Sequence, residues 1–112
     1  MGLDQYAKIM NVEDEVYWRK HNRLQGFMEE EWRSQGHDGE FNCIDLHIDE
    51  ELLDKLEDAI ENKSMPHTQG FFFGDDSYEN YEEYYKEDDL KFIKMARKAL
   101  KDGKSVVYSS WW

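Results

Sequence analysis

The chain has 112 residues, with 26 acidic against 14 basic side chains and a formal net charge of −12. That length fits one domain. A field of that sign repels nucleic-acid phosphates and anionic lipid, which argues against direct nucleic-acid or membrane binding and favours attraction to basic protein surfaces.

Charged residues make up 36% of the chain and hydrophobic ones 39%, a balance near that of disordered proteins. Four Trp, seven Tyr and six Phe shift it towards folding, because each buried ring removes roughly 150–250 Å² from water. The rings fall mainly in three clusters, at residues 17–22, 68–74 and 108–112. They must supply most of the core, most of any recognition surface, or both.

The charges are segregated. Residues 37–62 hold ten acids and one base, residues 75–89 eight acids and one base, and residues 91–104 six bases and one acid. Cys43 is the sole cysteine, so no intramolecular disulfide forms and a reducing compartment is expected. No apolar run approaches membrane-spanning length and no signal peptide opens the chain. Gly2 follows Met1, but Tyr6 stands where a myristoylation motif needs Ser or Thr.

Residues 3–9 read as a strand with Leu3, Tyr6 and Ile9 inward. Asn11 to Glu15 reads as a turn. Val16 to about Gln35 reads as a helix, because Tyr17, His21, Leu24, Met28 and Trp32 recur every three or four residues. Gly36-His37-Asp38-Gly39 ends it. Residues 41–47 alternate as a second strand, with Ile44, Leu46 and Ile48 opposite Cys43, Asp45 and His47.

Asp49 then caps a helix striped by Leu52, Leu53, Leu56, Ala59 and Ile60, which Pro66 follows. Phe71-Phe72-Phe73 between glycines reads as a short extended segment. A third helix covers about Tyr78 to Asp102, acidic at its start and basic at its end as the helix dipole favours, and either bent near Asp88-Asp89 or packed on two sides. Tyr81, Tyr85, Phe92, Ala96 and Ala99 share one of its faces, and Gly103 is its C-cap. Ser105 to Tyr108 forms the last strand. The expected fold is α+β: about three helices packed on a small, largely antiparallel sheet, in the order β-α-β-α-(short β)-α-β.

Five segments, in this order, carry a resemblance: Met1-Gly2-Leu3-Asp4-x-Tyr6, Tyr17-Trp18-Arg19-Lys20-x-Asn22, Pro66-x-Thr68-x-Gly70-Phe71-Phe72-Phe73-Gly74, the Tyr-rich start of the third helix, and Tyr108-Ser109-Ser110-Trp111. The chain resembles, over its whole length, a family of small uncharacterised bacteriophage and prophage proteins. The resemblance implies a phage origin and the cytoplasm of the infected host, but no chemistry. Some members carry the label phosphoglycerate kinase. That enzyme has two domains and roughly three to four times this length, and no glycine-rich phosphate loop is present here.

Trp18, Arg19 and Asn22 are candidates for a stacking and hydrogen-bonding wall. The plainer reading has Trp18 at the core edge and Asn22 tying down a loop. Thr68, Gly70 and Phe72 are the other ligand candidates, since glycines permit close backbone approach. Asp75 and Asp76 follow at the helix start and oppose an anion there. His21, in an apolar stripe, reads as a hydrogen-bonded core residue. Cys43 and His47 share a strand face but lack the second ligand pair of a zinc site, so no metal or cofactor is expected.

Tyr78, Tyr81 and Tyr84, interleaved with acids, and the terminal Trp111 and Trp112 are candidates for partner contact. No nucleophile is paired with a base. The expected function is a non-enzymatic binding module that engages a host protein through an acidic, Tyr-rich surface. Two alternatives are a small-ligand or nucleotide-sequestering protein, which needs residues 17–22 and 68–74 to converge, and an acidic DNA mimic.

Overall fold

In the computed structural model, residues 3–10, 15–19, 21–66 and 78–111 are described. The elements are β1 (Asp4–Ile9), β2 (Glu15–Arg19), α1 (Asn22–Ser34), β3 (Leu46–Ile48), α2 (Glu50–Glu61), α3 (Tyr78–Tyr84), α4 (Lys86–Lys101) and β4 (Val106–Trp111). The strands form one antiparallel sheet in the order β2-β1-β4-β3. The α+β class is as expected. The radius of gyration, 13.2 Å, is that of a compact single domain of this length.

The element order departs from the expectation at residues 16–21. Glu15–Arg19 form an edge strand, His21 is a helix cap, and the helix begins only at Asn22. Val16, Tyr17 and Trp18 are β-branched or aromatic, types that suit a pleated surface. His21 is the N-cap: its ring accepts the Leu24 N–H at 3.4 Å. The expected strand at 41–47 shrinks to Leu46–Ile48, because Cys43 has φ 58°, outside extended geometry.

The long third helix is two, broken at Tyr85 rather than at Asp88-Asp89. The expected short strand at Phe71-Phe72-Phe73 lies outside the described residues.

The caps of α2 and α4 follow local chemistry. The Asp49 carboxylate accepts the Leu52 N–H at 2.8 Å, satisfying one of the unpaired donors at a helix start. Both helices end in the same pair of reversed bonds. Lys63 N–H reaches Ile60 and Ser64 N–H reaches Ala59, while Gly103 N–H reaches Leu100 and Lys104 N–H reaches Ala99. That turn needs a positive φ, found at Lys63 (53°) and Gly103 (80°).

One face of the sheet meets the helices. Ala7, Ile9, Trp18, Leu46, Ile48, Val106 and Tyr108 join Leu24, Met28, Leu53, Leu56, Phe92 and Ala96 in a continuous core. Rings organise it: Trp18 packs edge-on to Phe92 at 5.3 Å, and Phe41 lies 5.1 Å from Trp32 and 6.2 Å from Tyr108. Strand parity on β1 places Gln5, Ala7 and Ile9 inward and Tyr6 outward, correcting the expectation of Tyr6 in the core.

Candidate functional site

The outer face of the sheet is set by the same alternation. Strand registers place three rows on it: Arg19–Asp4–Trp111, then Tyr17–Tyr6–Ser109, then Glu15–Lys8–Val107–His47. Trp111 is 68% exposed and Tyr17 49%. Tyr6 is half-buried beside Tyr17, ring centroids 5.3 Å apart, with the Lys8 ammonium 5.7 Å from the Tyr6 ring.

The Tyr17 hydroxyl donates to the Asp4 carboxylate at 2.5 Å. That bond holds the phenol above its ordinary pKa. Lys8 and Arg19 offset Asp4 and Glu15, so this face is locally neutral on a chain of net charge −12. It combines three rings with balanced charge, which suits a protein contact.

Beside the sheet edge, Glu15, Val16 and Tyr17 of β2 and Asp88, Lys91 and Met95 of α4 line an open cleft of about 520 Å³.

Behind the inner face lies a buried polar network. The Gln5 amide bridges His21 from both sides: its nitrogen donates to the His21 carbonyl at 2.9 Å and its oxygen accepts the His21 N–H at 2.8 Å. It also donates to the Tyr108 hydroxyl at 2.9 Å, which donates onward to Gln25 at 2.6 Å. His21 Nδ1 accepts the cap bond, so its ring proton sits on Nε2, directed at Asp89 Oδ2 at 2.7 Å. Tyr81 donates to the same oxygen at 2.8 Å.

Burial lifts the Tyr81 and Tyr108 phenols well above the ordinary tyrosine range, with the Asp89 charge adding to both. Among the described residues, Asp89 Oδ1 and Trp18 Nε1 have no hydrogen-bond partner. Gln5, His21, Tyr81, Asp89 and Tyr108 are all at most 2% exposed. The His–Asp pair is sealed from solvent and, with Gln5 and Tyr81, ties β1, α1, α3 and α4 together.

The sequence candidates are redistributed. Trp18 is a core residue, 2% exposed, and not a ligand wall. Arg19 is on the opposite face of β2 from Trp18, so the pair cannot line one pocket. Asn22 opens α1. Tyr81 is buried in the network rather than offered to a partner.

Tyr78 is half-buried and structural. Its hydroxyl accepts the Met65 N–H at 2.9 Å and its ring lies 3.9 Å from the Arg23 guanidinium. Tyr84 ends α3. Among the partner candidates whose side chains are described, Trp111 reaches an open surface. Thr68, Gly70, Phe72 and Trp112 lie outside the described residues.

Tyr6 and Tyr17 were missed as surface residues because each also fits an inward pattern. The signal for Tyr17 was the alternation of Glu15, Tyr17 and Arg19 with Val16 and Trp18. Among the described residues, no group of three or more His, Cys, Asp or Glu is placed to hold a metal ion, and no helix is long and apolar enough to cross a membrane. No protein-family model, curated protein or solved structure matches the chain.

Proposed function

We propose that this protein acts by binding a protein partner without catalysis, and that the partner lands on the open face of the sheet around Trp111, Tyr17 and Tyr6. The observation that carries this reading is Trp111, 68% exposed on a strand whose other face is core. An ordered Trp left in water forgoes on the order of 150–250 Å² of burial, and aromatic rings at the centre of an interface commonly dominate its energy.

The phage-family resemblance makes the partner a host protein. The net charge of −12 selects one with a basic surface, because opposite charge steers encounter while the neutral aromatic face supplies the contact. The small-ligand reading loses one wall, since Trp18 and Arg19 face opposite ways; its other segment, residues 68–74, lies outside the described residues. The DNA-mimic reading is weakened because bases interrupt the acids: Arg97 lies within ion-pair distance of Glu50, Asp54 and Glu57, and Lys55 reaches Glu31 and Glu51.

The test is native mass spectrometry of the tagged protein recovered from host lysate, repeated with Trp111→Ala and Tyr17→Ala. The expected result is a specific protein complex in the wild type that both variants lose while staying folded. A complex indifferent to both substitutions, or a retained metabolite in place of a protein, would overturn the proposal.

A further inference from the structure

Among the described residues no strand pairs with the outer edge of β2, and the polarity of that edge follows from the bonding pattern. Met10 N–H donates to Ser105 C=O at 2.9 Å, so the even-numbered residues of β1 turn their backbone groups towards β4. Gln5 and Ala7 therefore turn theirs towards Trp18 and Val16 of β2. It follows that Glu15, Tyr17 and Arg19 direct their N–H and C=O groups away from the sheet. The Arg19 carbonyl agrees, since it accepts the Tyr85 hydroxyl at 3.0 Å from outside. A cleft of about 520 Å³ opens beside this edge, between β2 and α4.

Unpaired edges are normally blunted by a proline, a bulge, charged side chains, short length or a covering element. β2 is short and holds no proline, and its two charges, Glu15 and Arg19, are of opposite sign. Its sequence, Glu15-Val16-Tyr17-Trp18-Arg19, is instead complementary to itself when reversed. Antiparallel pairing with an identical strand, centred on Tyr17, sets Glu15 of each copy opposite Arg19 of the other, on the same face and at both ends of the ladder.

We infer that the occupant of this edge is a second copy of the chain, giving a two-fold dimer with one continuous eight-stranded sheet. A two-fold contact uses one patch twice, and this patch satisfies that condition in charge, in ring and in the backbone groups of Tyr17, while the Arg19 carbonyl would accept the Glu15 N–H of the second copy beside the Tyr85 hydroxyl. The helices of both copies lie on one side of the joined sheet. On the other side the middle rows merge, so that Tyr6 and Tyr17 of one copy run on into Tyr17 and Tyr6 of the next. The aromatic face proposed for a partner is thereby doubled, but the pairing itself needs no partner and is tested without one.

Sedimentation equilibrium of the purified full chain at physiological salt gives the first measurement, and a dimer is expected. Glu15→Arg and Arg19→Glu each turn two attractions into two repulsions and should weaken self-association by roughly tenfold or more. The double exchange Glu15→Arg with Arg19→Glu restores both pairs and should restore the dimer. Hydrogen exchange supplies an independent readout: the Tyr17 amide is slow in the dimer and fast in either single variant, while core amides such as that of Tyr108 stay protected and show that the fold is intact. A monomeric wild type, a dimer untouched by the single reversals, or a double variant that stays monomeric would each overturn the inference. None of these outcomes bears on whether the sheet face binds a host protein.

Discussion

Replacing Tyr108 with Phe removes one oxygen from the buried network and keeps the ring in place. The hydroxyl accepts from Gln5 at 2.9 Å and donates to Gln25 at 2.6 Å, and all three side chains are at most 1% exposed. Gln5 keeps its bonds to His21, whereas the Gln25 oxygen loses its short donor. A buried polar group left unpaired costs about 1–3 kcal/mol. With one group wholly and one partly stranded, the loss is about 2–4 kcal/mol, a large share of the roughly 5–15 kcal/mol that holds a domain together. For a chain of this size that lowers Tm by about 8–16 °C.

A second signature follows from titration. Burial raises the Tyr81 and Tyr108 phenols above their unfolded value of about 10. Their contribution is therefore complete below pH 10 and is lost as pH rises above it, because the unfolded chain sheds both protons while the fold retains them. Each adds a slope of about 1.4 kcal/mol per pH unit in that range, so Tyr108→Phe should lose one of two such slopes. Exposed Tyr17 is present in both proteins and cancels. Urea denaturation of both proteins from pH 7 to 11 reads both quantities. Equal midpoints at pH 7, or parallel decline above pH 10, would refute the role assigned to the network.

Asp49→Ala should cost about 1 kcal/mol by removing the α2 cap, read as a lower urea midpoint with an unchanged m-value. Lys63 and Gly103 occupy equivalent left-handed positions after α2 and α4, so Lys63→Gly should stabilise and Gly103→Ala should destabilise, each by about 1 kcal/mol. No atom lies within 4 Å of a Cβ placed on Gly103, which makes that cost one of backbone strain alone. Thermal melts of the pair check the opposite signs. Arg97→Gln breaks the links from α4 to Asp54 and Glu57, at 2.8 and 2.9 Å. These acids are largely exposed, so the expected loss is under about 1 kcal/mol and shrinks with added salt.

The parts of the fold readable in advance were those decided within a few residues. Asp49, the Leu52–Ile60 stripe, the α4 stripe with Leu90 turned out of it, and the glycine after α4 each carry a local signal strong enough to stand alone. Residues 16–21 do not. Tyr17, His21, Leu24 and Met28 keep helical spacing, so the period extends through a segment that is in fact strand and cap. What decides that segment is non-local: β1 supplies a partner for β2, and Gln5 takes both backbone groups of His21. The site was hidden for the same reason. Whether Tyr17 or Trp18 reaches solvent depends on strand parity, and in a helix the two would not face opposite ways.

That parity also explains how so polar a chain can leave rings outside. A slip of one residue in β2 would bury Tyr17 and expose Trp18, exchanging the two faces. The cap contacts resist it: Gln5 grips the His21 backbone by two bonds at the point where β2 gives way to α1, and Tyr85 stacks on the His21 ring at 4.4 Å while its hydroxyl holds the Arg19 carbonyl. The polar network is therefore what fixes which aromatic residues are core and which are surface. Its amides and phenols are satisfied inside by one another, and the inner face closes with Trp18, Phe41, Phe92, Tyr108 and the aliphatic side chains around them. Tyr6, Tyr17 and Trp111 are surplus to packing, and their place on the open face is a consequence of register rather than of a core too full to hold them.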